Sequence, residues 1–169
     1  MAFMTGKRGL VTGVLHETSI ATAIAQSLLR EGAQCLFTHL PGEKMERRTR
    51  KLAETAGVSN PWLQPMDVAS DGDISACFER VGTEFGQIDF VVHCIAFADK
   101  DWLKIGKFAS TPRAVFANAL DVSAFSYMAL GNAALPVLKD GGSMIGLSYY
   151  GAEKAVPGSS IVSEQRSSL

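Results

Sequence analysis

Five short apolar runs alternate with segments of helical periodicity along the chain, and this rhythm restricts the fold more than any other feature. The runs are Gly9–Thr12, Gln34–Thr38, Trp62–Met66, Asp89–Ile95 and Ser143–Ser148. Between them, the spacing predicts helices over Ser19–Arg30, Glu43–Ala56 and Asp71–Phe85, stopped by Gly32, Gly57 and Gly86. The third of these repeats apolar residues at Ile74, Cys77, Phe78 and Val81, one buried stripe. A loop follows over Phe97–Ser110, then a long helical region from Thr111 to about Leu138, and Asp140-Gly141-Gly142 reads as the turn into the fifth strand. Strands separated by helices imply a parallel sheet with right-handed crossovers and helices on both faces. The expected architecture is α/β, a doubly wound Rossmann-like sheet in strand order 3-2-1-4-5.

Length and composition remove several alternatives. A chain of 169 residues with 47% hydrophobic and 20% charged residues is expected to bury one ordinary core. The net charge of −1 offers no basic surface for nucleic acid or membrane lipid. Cys35, Cys77 and Cys94 form no CxxC pair, and the three histidines are scattered, so no metal site is expected. Free cysteines suit a reducing compartment. With no signal-like h-region and no unbroken apolar run near the roughly 20 residues that span a bilayer, a soluble cytoplasmic protein is expected.

Four places carry residues suited to chemistry. Thr12-Gly13 ends the first strand and Ser19-Ile20-Ala21 opens the next helix. A glycine there allows close backbone approach, and the helix N-terminus offers free N–H groups to a pyrophosphate; a plain capped helix reads the same way. Asp67-Val68, directly after strand three, could accept a hydrogen bond from an adenine amino group or simply cap the next helix. His93-Cys94-Ile95-Ala96-Phe97-Ala98 ends strand four, where such folds hold ligands, although His93 itself suits packing better than catalysis. Finally Ser148-Tyr149-Tyr150 leaves strand five; a phenol there can donate to a developing oxyanion, or be half-buried packing.

Taken together, Thr-Gly-x5-Ser-Ile-Ala, Asp-Val, His-Cys-Ile-Ala-Phe-Ala, Asp121-Val122-Ser123-Ala124-Phe125-Ser126 and Ser-Tyr-Tyr-Gly-Ala-Glu-Lys closely resemble the bacterial enoyl-acyl-carrier-protein reductases. These are a divergent branch of the short-chain dehydrogenase/reductase superfamily, and the resemblance covers roughly residues 3 to 157. It implies a fatty-acid-synthesis oxidoreductase that reduces a trans-2-enoyl-acyl-carrier-protein with hydride from NADH. By the same resemblance Gly13, Ser19 and Ile20 hold the pyrophosphate side, Leu40, Asp67 and Val68 the adenine, and Ile95 the ribose and nicotinamide. Ala98 lies against the enoyl substrate, and Tyr149 matches the first of two active-site tyrosines. The resemblance also implies a homotetramer.

This sequence departs from the family at three points. Leu40 replaces the usual glutamine beside adenine. The stretch Thr38-His39-Leu40-Pro41 carries no Arg or Lys to pair with a 2′-phosphate, which favours NADH over NADPH, although Arg47 and Arg48 follow closely. Gly158 and Ser159 stand where the family has Asn and its second tyrosine, and Arg166 occupies the lysine's place by spacing alone. The expectation is therefore an incomplete Rossmann-like domain over residues 1–157, lacking the family's C-terminal strands and helices. A divergent, disordered tail over 158–169 follows it, as from a frame change or early stop. A nucleotide-binding chain without catalysis is the alternative to an active reductase.

Overall fold

The computed structural model describes residues 2–104 and 106–149. The boundary expected at residue 157, the 158–169 tail, Gly158, Ser159 and Arg166 lie outside the described residues. The described residues form two compact units, one of residues 2–94 and 130–146, the other of residues 95–104, 106–129 and 147–149.

The first unit is a parallel sheet. Its strands are β1 (Arg8–Val11), β2 (Gln34–His39), β3 (Leu63–Pro65), β4 (Ile88–His93) and β5 (Leu138–Gly146), in the order β3-β2-β1-β4-β5. Helices α1 (Ile20–Arg30), α2 (Glu43–Thr55) and α3 (Asp71–Phe85) make the crossovers. The chain steps outward from β1 to β3 and then returns past β1 to β4; right-handed crossovers put α3 on the face opposite α1 and α2. Each strand's alternation supplies both faces. Val11, Phe37, Val92 and Phe90 pack with Ala21, Ala25, Leu52 and Ala53. Leu10, Leu36 and Val91, pointing the other way, are also fully buried, so β1, β2 and β4 are covered on both faces, whereas β5 at the sheet edge is largely exposed.

Asp89 ties the amino ends of the strands together. Its carboxylate accepts from the Arg8 backbone N–H at 2.9 Å, from Lys7 Nζ at 3.0 Å and from Lys139 Nζ at 3.2 Å. One side chain therefore links β1, β4 and β5 at the end of the sheet opposite the candidate site.

Two elements differ from the sequence expectation. Strand β5 begins at Leu138, not Ser143, and ends at Gly146. Leu138 pairs with Ile88, and pairing resumes at Ser143 opposite Phe90, so Asp140-Gly141-Gly142 bulges out within the strand, with Gly141 at φ +76°. The long helix is not uniform. It runs as α4 (Arg113–Leu120), a π-helical turn over Asp121–Phe125, and α5 (Ser126–Ala134). The run Arg113–Ala134 is 22 residues long and, by length and composition, apolar enough to cross a membrane. It is not an unbroken apolar run: Asn118, Asp121 and Asn132 interrupt it.

Ahead of α4 the second unit carries two 3₁₀ turns, Lys100–Trp102 and Phe108–Ser110. Asp99 caps the first of them by accepting from the Asp101 N–H.

Candidate functional site

The carboxyl ends of β3, β2, β1 and β4 lie side by side, and the sequence-predicted residues of the first unit follow directly from them. Asp67 stands two residues beyond Pro65, Leu40 one beyond His39, Gly13 two beyond Val11, and Cys94 one beyond His93. With strands about 4.8 Å apart, this edge presents one continuous row of groups. The order reverses between β1 and β4, the position where open α/β sheets form a crevice.

Gly13 is fixed by that reversal. It adopts φ +79°, and a β-carbon on it would overlap the carbonyl oxygen of Cys94. Thr12, fully buried beside it, holds the two strand ends together. Its N–H donates to the Val92 carbonyl at 3.0 Å, its hydroxyl to the same carbonyl at 3.1 Å, and the hydroxyl accepts from Cys94 N–H at 3.2 Å. Thr12 was given no role of its own in the sequence reading; a threonine at the end of a buried strand, before a glycine, is the signal that points to it.

Ser19 is the N-cap of α1. Its extended backbone places the hydroxyl to accept from Thr22 N–H at 3.3 Å, and it shares a 2.7 Å hydrogen bond with the Thr22 hydroxyl. Thr22 in turn donates to the His16 carbonyl at 2.8 Å, which fixes the connection from β1. The first turn of α1 contains no acidic residue, so the positive end of its dipole is not neutralised from within. Ile20 and Leu40 are 64% and 50% exposed, two large apolar side chains left in water at this edge.

Asp67 is half-buried, and Val68 behind it is buried. The cap of α3 is Ser70, which accepts from Asp73 N–H, so Asp67 is not the helix cap. One of its carboxylate oxygens accepts from Ala69 N–H at 3.0 Å and shapes the turn. The other makes no hydrogen bond among the described residues.

In the second unit Ile95, Ala98 and Tyr149 are all half-buried. The Ile95–Ala98 segment has no regular structure, yet Phe97 is held on both sides of its backbone. Its N–H donates to Ser123 Oγ at 2.9 Å, and Ser123 Oγ donates to its carbonyl at 3.1 Å. Tyr150, Glu153 and Lys154 lie outside the described residues.

Three cations sit beside the first unit's row: Arg47 and Arg48, named from the sequence, and Lys51, which was not. A pocket of about 760 Å³ is lined by His16, Glu17, Thr18, Arg47, Arg48, Lys51 and Leu52. Thr49 Oγ1 donates to the buried carbonyl of Val14 at 3.1 Å and so anchors α2 to this connection. A second open groove, about 820 Å³, runs past Gln34, Leu36, Trp62 and Arg80 on the outer side of β2 and β3. It contains none of the predicted residues. Among the described residues no cluster of His, Cys, Asp or Glu could hold a metal ion.

Comparisons with known proteins identify the family and the fold. Residues 13–169 match the family model described as enoyl-(acyl carrier protein) reductase, so the match runs beyond residue 157, where the sequence reading ended the resemblance. The chain is 41% identical to the enoyl-[acyl-carrier-protein] reductase [NADH] FabI of a Nostoc species, with 100% of this chain and 65% of that protein covered. It is 40% identical to the Bacillus cereus protein of the same name, again with 100% and 65% covered. Among solved structures it is similar to the Anaplasma phagocytophilum reductase in complex with NAD, with a TM-score of 0.93 and 35% identity over 99% of this chain and 63% of that one. The Bacillus cereus reductase with NADP+ and an indole naphthyridinone gives a TM-score of 0.94 at 40% identity, over 100% of this chain and 65% of that one. The chain thus spans about 65% of the length of the curated relatives it matches.

Proposed function

The chain belongs to the enoyl-(acyl carrier protein) reductase family, and on that premise we propose that it reduces the double bond of a trans-2-enoyl thioester carried on acyl-carrier protein. The observation that carries this reading is the row Asp67, Leu40, Gly13, Cys94 on the carboxyl edge, where β1 and β4 turn apart.

The residues present fit an adenine dinucleotide. The free N–H groups of the α1 N-terminus, with Ser19 at their head and no acid among them, suit a pyrophosphate. Exposed Leu40 would give the adenine ring an apolar surface, and Ile20 at the helix start would stand on the pyrophosphate side. The unpaired oxygen of Asp67 would accept from the adenine amino group, and the Val68 backbone would line the ring. Ile95 would hold the nicotinamide ribose, and Ala98, with its small side chain, would leave room for the enoyl group. When bound, NADH supplies a hydride to the substrate's β-carbon. The Tyr149 hydroxyl donates to the thioester oxygen, where negative charge develops, and protonation at the α-carbon completes the saturated chain.

NADH is the preferred cofactor, because the turn after β2 carries no cation. A second reading, use of NADPH as well, is favoured by one observation: Arg47, Arg48 and Lys51 line one pocket and none makes an ion pair among the described residues. Titration with both cofactors distinguishes them, and equal affinity would establish the second reading. The family points to an acyl-carrier-protein partner, a homotetramer and the cytoplasm.

The deciding experiment follows NADH consumption with a trans-2-enoyl thioester. Turnover that requires both reactants supports the reductase. NADH binding without turnover would instead establish a nucleotide-binding chain without catalysis, and absence of both would end the proposal.

A further inference from the structure

The segment that leaves β4 presents Ile95 and Ala98, but no sheet ladder or helix holds it. Nor does the Phe97 side chain anchor it, because that ring is 49% exposed. Among the described residues the segment's backbone is held by one hydroxyl. Ser123 is buried, accepts from Phe97 N–H at 2.9 Å and donates to Phe97 C=O at 3.1 Å, so a single side chain satisfies both groups of one residue.

Ser123 reaches Phe97 from the centre of the π-helical turn Asp121–Phe125. In this turn Ser126 N–H bonds to the Asp121 carbonyl, five residues back, instead of the usual four. Ser126 Oγ also donates to the Val122 carbonyl at 2.7 Å, which occupies an acceptor inside the widened turn. A widened turn inserts a residue and resets the direction of every side chain after it. Such turns are uncommon and collect at functional sites.

We propose that Ser123 is a positioning residue of the reaction: acting through Phe97, it sets where Ile95 and Ala98 stand against nicotinamide and enoyl group. This rests on the reductase reading above. An alanine at 123 removes the one side-chain partner of both Phe97 backbone groups, which are only part-buried, and so releases the segment to shift. A displacement of about 1 Å at a reacting centre costs on the order of 100-fold in rate.

The test compares Ser123→Ala, Ser123→Thr and Ser123→Cys in the full chain by three measurements. These are amide hydrogen exchange at Phe97, the dissociation constant for NADH, and the separate kcat and KM values with an enoyl thioester. Expected for S123A is faster exchange at Phe97 and a fall in kcat on the order of 100-fold. Its NADH affinity should fall far less than kcat, because the adenine and pyrophosphate contacts lie on other residues and only the Ile95 contact is displaced. S123T keeps the hydroxyl and should restore both exchange and kcat. S123C, close in volume and a weaker donor, should fall between, and it reports even where S123A does not fold. An S123A or S123C chain with wild-type kcat would overturn the proposal, as would an S123T chain as impaired as S123A. A wild-type chain that binds NADH but reduces no enoyl thioester overturns the reductase reading, and the positioning role falls with it.

Discussion

The carbonyl oxygen of Cys94 occupies the space that a β-carbon on Gly13 would need. These residues end neighbouring strands whose next connections run in opposite directions, and their backbones meet directly because one of them has no side chain. The crevice of the doubly wound sheet opens from this contact. Thr12 holds the two strand ends together with two hydrogen bonds to Val92 and one to Cys94.

Replacement of Gly13 by alanine is expected to be among the more damaging single changes at this edge. The positive φ costs roughly 1–2 kcal/mol for an L side chain, and the overlap with Cys94 adds about 1–3 kcal/mol of overpacking. A loss of about 3 kcal/mol should lower the melting midpoint by roughly 6–12 °C, and NADH binding should weaken with it. A G13A chain that melts like the wild type would show that the strand ends separate freely.

Asp89 gives the sheet a pH dependence with a defined sign. Burial pushes its carboxyl up, but the Arg8 N–H and the Lys7 and Lys139 ammonium groups outweigh that and hold it below the usual carboxylate range. A group whose folded pKa is lowered stabilises the fold above its unfolded value, near 4, and loses that stabilisation as pH falls through the folded value. Both lysines are about half exposed, which screens the pairs, so D89N should cost only about 1–2 kcal/mol at pH 7. Melts of both chains from pH 7 downward should converge below pH ~4. Curves that stay parallel would mean the carboxylate contributes nothing through its charge.

Asp67→Asn separates the two jobs of that side chain. The amide oxygen can still accept from Ala69 N–H and keep the turn, whereas the NH₂ group replaces the free acceptor with a donor facing the adenine amino group. NADH affinity should drop about tenfold or more, the scale of a lost hydrogen bond to a charged group, while the melt without cofactor stays close to wild type. Unchanged affinity by fluorescence titration would remove Asp67 from the adenine site.

Much of this architecture was legible because local pattern and final position agree. The runs around Leu10, Leu36 and Val91 are apolar wherever both faces are covered, and the glycines after α1 and α3 stand where helices stop. The start of β5 was not legible. Asp140-Gly141-Gly142 carries a turn signal, and only the pairing of Leu138 with Ile88 makes it a bulge inside a strand. The π-helical turn was equally hidden. Asp121-Val122-Ser123-Ala124-Phe125 contains no helix breaker, and the widening coincides with hydrogen bonds to Phe97, 26 residues away in sequence. The motif could be matched to a family by its letters, yet Ser123 had no role until its partner was placed beside it. At the candidate site, Gly13, Leu40 and Asp67 could be placed from the ends of strands, but the pocket cations Arg47, Arg48 and Lys51 could not, because their grouping depends on how α2 packs.

The three thiols should report directly on the carboxyl edge. Cys35 and Cys77 are buried, and burial pushes each thiol up to about 12, overcoming the opposing pull of Arg80 on Cys77. At pH 8 roughly one in ten thousand of such groups is ionised, and the thiolate is the reactive form. Cys94 is only partly buried and stands against Gly13, where the cofactor would lie. A disulfide reagent at pH 8 should therefore label one thiol in the native chain and all three after denaturation. Saturating NADH should slow the single native reaction, since a dinucleotide across this edge covers Cys94. Rapid labelling of Cys35 or Cys77 would contradict the packing of β2 and α3. A Cys94 rate indifferent to NADH would place the cofactor somewhere other than the junction of β1 and β4.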